Sequence, residues 1–174
     1  KFADPTVVII PWALFFGRIG NFINGELYGK ITKLPWGMIF PNAYPENTVP
    51  RHPSQLYEAI LEGIVLFLIL YFLEKRQREK QDIKKGVVFW SFILFYGLFR
   101  FLVEFVRQPD TYFGNDGTIF GPFTMGQFLS FPMIIFGLIM IYIIQMDIVQ
   151  FPDVIGYTPE ERAKIKEQKA KTKA

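Results

Sequence analysis

The sequence predicts an all-α, polytopic membrane protein with about four transmembrane helices and a small irregular segment on the outer (periplasmic) side. Three observations carry this. Apolar residues make up 51% of the 174-residue chain and fall in long blocks. One block, Thr124–Met146, runs 23 residues without a charge. Basic residues gather in alternate connections, as they do in membrane proteins. A large soluble helical core would need helices with a polar stripe, and Thr124–Met146 has none.

Taken in order, the first span covers residues 7–23 and is interrupted by Pro11 and Arg18. It leads through "GRIGNFINGELYG" (17–29) into an outer loop, 24–54. Pro35, Pro41, Pro45, Pro50 and Pro53 keep that loop irregular, with "WGMIF" as a candidate short strand. The second span, 55–73, has 19 residues, of which only Glu58 and Glu62 are charged. Pro53 suits its first turn, with His52 near the cap. An inner loop, 74–86, follows. The third span, 87–106, has 20 residues with only Arg100 and Glu104 charged. The outer loop 107–123 is rich in turn residues. The fourth span, 124–146, contains Pro132, which is expected to kink it. Residues 1–149 form one membrane domain. Residues 150–174 form a charged tail, in which Thr158-Pro159-Glu160-Glu161 starts a short helix with a capping box.

Charge sets the orientation. Residues 74–85 carry Lys75, Arg76, Arg78, Lys80, Lys84 and Lys85, and the tail after Gln150 carries six more Lys or Arg. Asn24–Ser54 carries only Lys30, Lys33 and Arg51, and Gln108–Pro122 carries none. The positive-inside rule places the first pair of segments in the cytoplasm, the C-terminal tail included, and the second pair outside. The chain has no Cys and one His. It therefore supplies no disulfide, thiolate metal site or cysteine nucleophile, and no multi-histidine metal centre is expected. No cofactor and no nucleic-acid partner are expected.

Three polar clusters sit where a membrane helix should avoid charge. In "FYGLFRFLVEFVRQPD" (95–110), Tyr96, Arg100, Glu104 and Arg107 fall within an arc of about 80° on a helical wheel. Arg100 lies roughly 9 Å below the outer boundary of its span. A central arginine costs about 2.5–3.5 kcal/mol on insertion scales. A paired Arg100 and Glu104 lower that cost. Gln55, Glu58 and Glu62 lie within about 60° of one another at the outer end of the second span, placed to neutralise arginines or bind a headgroup. Arg18, Asn21, Asn24 and Glu26 lie in the glycine-rich stretch, whose glycines allow close backbone approach. By topology all three clusters face the outer half of the membrane. Together they read as a polar cavity with an excess of guanidinium, suited to an anionic lipid headgroup, with His52 at its rim.

"GRIGNFINGELYG" (17–29), "RHPSQLYEA" (51–59) and "GLFRFLVEFVRQPD" (97–110) resemble the signature segments of bacterial prolipoprotein diacylglyceryl transferases, over about residues 5–149. The resemblance implies an enzyme of the bacterial cytoplasmic (inner) membrane in the first step of lipoprotein maturation. Its partners are phosphatidylglycerol, membrane lipids and a prolipoprotein signal peptide with a lipobox Cys. Diacylglyceryl passes to that thiol and glycerol phosphate leaves. The resemblance assigns phosphatidylglycerol binding to Arg18, with Asn21, Glu26, Gly29 and Arg107 beside it, and activity to Arg100, Glu104 and His52. Family members have seven spans with the N-terminus outside, and this chain has about four and starts inside. It therefore reads as a C-terminal portion, without the family's upstream Tyr and His-Gly-Gly segment. The alternative from another class is a non-catalytic module binding anionic lipid, or part of a transporter.

Overall fold

The computed structural model describes residues 3–43, 47–80, 83–108, 118–120 and 123–148. The expected tail helix and most of the 107–123 loop lie outside these residues. Six helices account for most of the described chain: α1 (Ala3–Val7), α2 (Ile10–Ile23), α3 (Ser54–Glu58), α4 (Leu66–Lys80), α5 (Val87–Val103) and α6 (Met125–Gln145). A π-helical turn, Ala59–Val65, joins α3 to α4, so Ser54–Lys80 is continuous. Strands β1 (Thr118–Phe120) and β2 (Phe123–Thr124) pair antiparallel just before α6.

Ala3–Ile23, Ser54–Lys80 and Met125–Gln145 are long and apolar enough to cross a bilayer. The helix containing Arg100 is shorter than its apolar run. It stops at Val103 after 17 residues, and residues 104–106 form a turn. The opening run is broken at residues 8–9, where Pro11 enters α2 without an N–H to continue the helix before it. α6 continues through Pro132.

Val7, Val8, Leu66, Leu70, Val88 and Phe99 form the apolar core between α1, α4 and α5. Helices α5 and α6 lie side by side, with Gly97 against Met133 and Ser130, and Gly137 against Leu94. Small residues allow this approach in the absence of a water-driven force. At the end of the bundle away from the arginines, buried Asp4 accepts from the Gly86 and Phe89 amides at 2.7 and 3.0 Å and from Gln77 Nε2 at 3.0 Å. An aspartate from the first helix thus caps the start of α5. Lys84 Nζ meets Asp147 Oδ2 at 2.6 Å on the same end.

The loop between α2 and α3 does not contain the strand expected at "WGMIF". Met38 makes an isolated bridge to Arg51, and Ile31 bridges the same residue. The prolines interrupt a longer ladder. Pro53 precedes α3 instead of standing in its first turn.

Candidate functional site

Four helix ends meet at the other end of the bundle. Arg18 comes from the last turns of α2, and Glu58 and Glu62 from α3 and the π turn. Arg100 and Glu104 come from the end of α5, and Thr124 from the start of α6. The antiparallel order of the helices makes this convergence possible.

Glu58 is the hub, and it is fully buried. Its Oε2 lies 2.8 Å from Arg18 Nε, its Oε1 2.5 Å from Arg100 Nη1, and Oε1 also 3.9 Å from Arg107 Nε. Glu62, equally buried, meets Arg18 Nη2 at 3.2 Å. Glu104 lies 3.4 Å from Arg100 Nη2 and 3.8 Å from Arg107 Nη1. Three arginines and three glutamates thus balance in formal charge. The expected excess of guanidinium is not what the cluster holds, because Glu58, Glu62 and Glu104 all turn inward to it. A buried arginine without a carboxylate would carry the full desolvation penalty.

The arginines are not sealed. Arg18 and Arg100 each keep 17% of their side-chain surface exposed. The contacts above engage Nε and Nη2 of Arg18 and Nη1 and Nη2 of Arg100. Arg18 Nη1 and Arg100 Nε have no partner among the described residues. A guanidinium has five donors in a fixed fork, so donors remain for an anion. Gln55 Oε1 and Glu62 Oε1 are buried acceptors with no hydrogen-bond donor among the described residues.

Glu104 is fixed from the far side. Thr124 Oγ1 donates to its Oε1 at 2.9 Å, while the same oxygen accepts from the Gln127 amide. Gln127 Oε1 in turn accepts from the Thr124 amide at 3.3 Å, completing a capping box. The carboxylate therefore sits on the positive end of α6. It fits there because residue 126 is glycine: a Cβ would stand 2.6 Å from Glu104 Cδ. Sequence reasoning did not assign these three residues to the site, although Thr-x-x-Gln at 124–127 is a legible cap signal.

The remaining predicted residues take no part in the ion pairs above. The Glu26 side chain is exposed and lies 3.5 Å from Asn24 Nδ2. Its backbone oxygen accepts from Gln55 Nε2 at 2.6 Å. Asn21 contributes its carbonyl to the turn, accepting from the Glu26 amide. Ser54 Oγ holds the Leu27 carbonyl at 2.9 Å, next to a left-handed Leu27 with φ 57°. That conformation costs roughly 1–2 kcal/mol, which the two side-chain pegs from α3 offset. Gly29 lies between two chain segments. Its amide donates to the His52 carbonyl at 2.8 Å, and it bridges Arg107. A Cβ there would stand 2.6 Å from both His52 Cβ and the Val106 carbonyl. The close approach that needs this glycine is chain against chain, and it places Arg107 beside the hub. His52 points to Tyr57, whose Oη lies 3.3 Å from Nδ1. Among the described residues no group of His, Cys, Asp and Glu is arranged to hold a metal ion.

A family model described as prolipoprotein diacylglyceryl transferase matches residues 1–143. A phosphatidylglycerol–prolipoprotein diacylglyceryl transferase of Geobacter sulfurreducens is 59% identical over 138 residues, covering 79% of this chain and 49% of that protein. Proteins of the same name from Aeromonas hydrophila and Solidesulfovibrio magneticus are 52% and 54% identical, over 81% and 78% of this chain and 47% and 48% of theirs. The chain spans about half the length of the curated relatives it matches. On the match across residues 1–143 and these identities, the chain belongs to the prolipoprotein diacylglyceryl transferase family.

Proposed function

We propose that this chain carries the phosphate-binding half of an enzyme that moves diacylglyceryl from phosphatidylglycerol to the lipobox cysteine thiol of prolipoproteins. The observation that carries the reading is the pairing of Arg18 and Arg100 across Glu58, each with part of its side chain exposed. In the reaction, the substrate thiolate attacks the glycerol carbon bonded to a phosphate oxygen. A C–S bond forms, the C–O bond breaks, and its electron pair leaves with glycerol phosphate. The thiol proton goes to a base that this chain does not identify. Arginines fixed in advance against the leaving oxygen stabilise charge as it develops, without reorganising. Arg18 and Arg100 supply those donors, and Glu104 orients Arg100 and Arg107. Gln55 Oε1 and Glu62 Oε1 are acceptors of the kind that headgroup hydroxyls require.

The site sits in the outer half of the bacterial inner membrane in this reading, with the basic 74–86 connection and the C-terminal tail in the cytoplasm. Incubating the whole natural protein with phosphatidylglycerol vesicles and a lipobox peptide tests it. Mass spectrometry should find the thioether-linked diacylglyceryl peptide. Lipid binding without product would favour a non-catalytic module.

A further inference from the structure

A chain of three rings, two from the loop before α3 and one from α3 itself, is not used by the ion cluster. Trp36 Nε1 lies 2.7 Å from Tyr57 Oη, and Tyr57 Oη lies 3.3 Å from His52 Nδ1. The His52 and Tyr57 rings meet edge to face, with centroids 5.9 Å apart. An indole N–H only donates, so it fills one lone pair of the Tyr57 oxygen. The phenol proton then needs an acceptor, and His52 Nδ1 is the one within reach among the described residues. A neutral imidazole that accepts at Nδ1 carries its proton on Nε2. The reverse arrangement, with Nδ1–H donating to Tyr57, would make the phenol oxygen accept from both Trp36 and His52 and turn its own proton to solvent.

We propose that Tyr57, itself held by Trp36, is a positioning residue that locks neutral His52 in the Nε2–H tautomer. His52 therefore presents a hydrogen-bond donor at Nε2, and not a base. The consequence for chemistry rests on the transferase reading: His52 is suited to donate to a phosphate oxygen of the lipid and unsuited to take the thiol proton. The base must then come from elsewhere.

In the whole natural protein, 15N-histidine labelling with His52→Gln as the difference variant isolates the His52 imidazole. The spectrum is recorded in detergent micelles at high pH. The expected Nε2 resonance sits at its fully protonated limit, with two-bond couplings of the Nε2–H pattern. Tyr57→Phe should move that resonance off the limit as the second tautomer appears. Trp36→Phe should move it in the same direction by less, and that ring is 54% exposed, so its removal spares the fold. An Nδ1–H pattern in the unaltered chain overturns the proposal. So does an Nε2 resonance unmoved by Tyr57→Phe or, should that variant not fold, by Trp36→Phe. Neither result depends on turnover, so the wrong tautomer leaves the transferase reading standing, and a failed transfer assay leaves the tautomer standing.

Discussion

Arg100 Nη1 meets Glu58 Oε1 at 2.5 Å, across 42 residues of sequence. The contact ties the end of α5 to the start of the second long helix, and the same carboxylate reaches Arg18 on α2. One buried glutamate therefore sets the spacing of two guanidiniums from different helices. That spacing is what a phosphate would meet.

Glu58→Ala should be the most damaging single change in the cluster. It leaves Arg18 and Arg100 without their shared partner, and breaking a buried ion pair from one side costs about 3–5 kcal/mol. Unfolding in mixed micelles should show a loss of that order, with transfer abolished. Unchanged stability would mean that the arginines have other partners in the membrane.

Arg100→Lys should fail as well, although it keeps the charge. A lysine is a point charge and cannot hold Glu58 and Glu104 while presenting a further planar donor. Removing one oriented donor from a developing oxyanion costs about a hundredfold to a thousandfold in rate. A lysine variant with near-normal turnover would refute the geometric role.

For Arg18→Ala, phosphatidylglycerol binding should fall more than lipobox-peptide binding. Titration of each ligand against the purified protein separates the two. The opposite order would assign Arg18 to the peptide.

Gly126→Ala should act on Glu104 from a different helix. The added Cβ would stand 2.6 Å from the carboxylate carbon, so Glu104 or the start of α6 must move. Overpacking of this kind costs typically about 1–3 kcal/mol. Thr124→Ala removes the donor to Glu104 and the helix cap together, for about 1 kcal/mol. Thermal unfolding of the two variants, with the transfer assay beside it, checks both.

Asp4→Ala should lower stability without touching the arginines. It strips the acceptor from the Gly86 and Phe89 amides at the far end of the bundle, about 1–3 kcal/mol for buried donors left unmet. A larger effect on lipid affinity than on unfolding would contradict the structural role.

The sequence made one side of the site legible. Arg100, Glu104 and Arg107 are neighbours at helical spacing, and the structure sets both arginines between Glu104 and Glu58. The long apolar helices also followed from block lengths, since hydrocarbon thickness fixes how long an apolar helix must be. Glu58 as the hub was not legible, because its partners are tens of residues away and a helical wheel carries no information between helices. The same holds for Asp4, whose partners lie 73 to 85 residues on. Glu26 was misplaced for a related reason. Proximity in sequence to Arg18 suggested one cluster, but the turn after α2 carries the Glu26 side chain outward and leaves only its carbonyl to Gln55.

The central claim is that these arginines hold the phosphate of the lipid while the thiol attacks. It is tested most directly by Arg100→Ala in the whole natural protein, in membranes, with phosphatidylglycerol and a lipobox peptide. Thioether product is read by mass spectrometry, and membrane insertion is checked in parallel. The account predicts normal insertion and loss of product. Product at near the unaltered rate from a correctly inserted Arg100→Ala protein would contradict it.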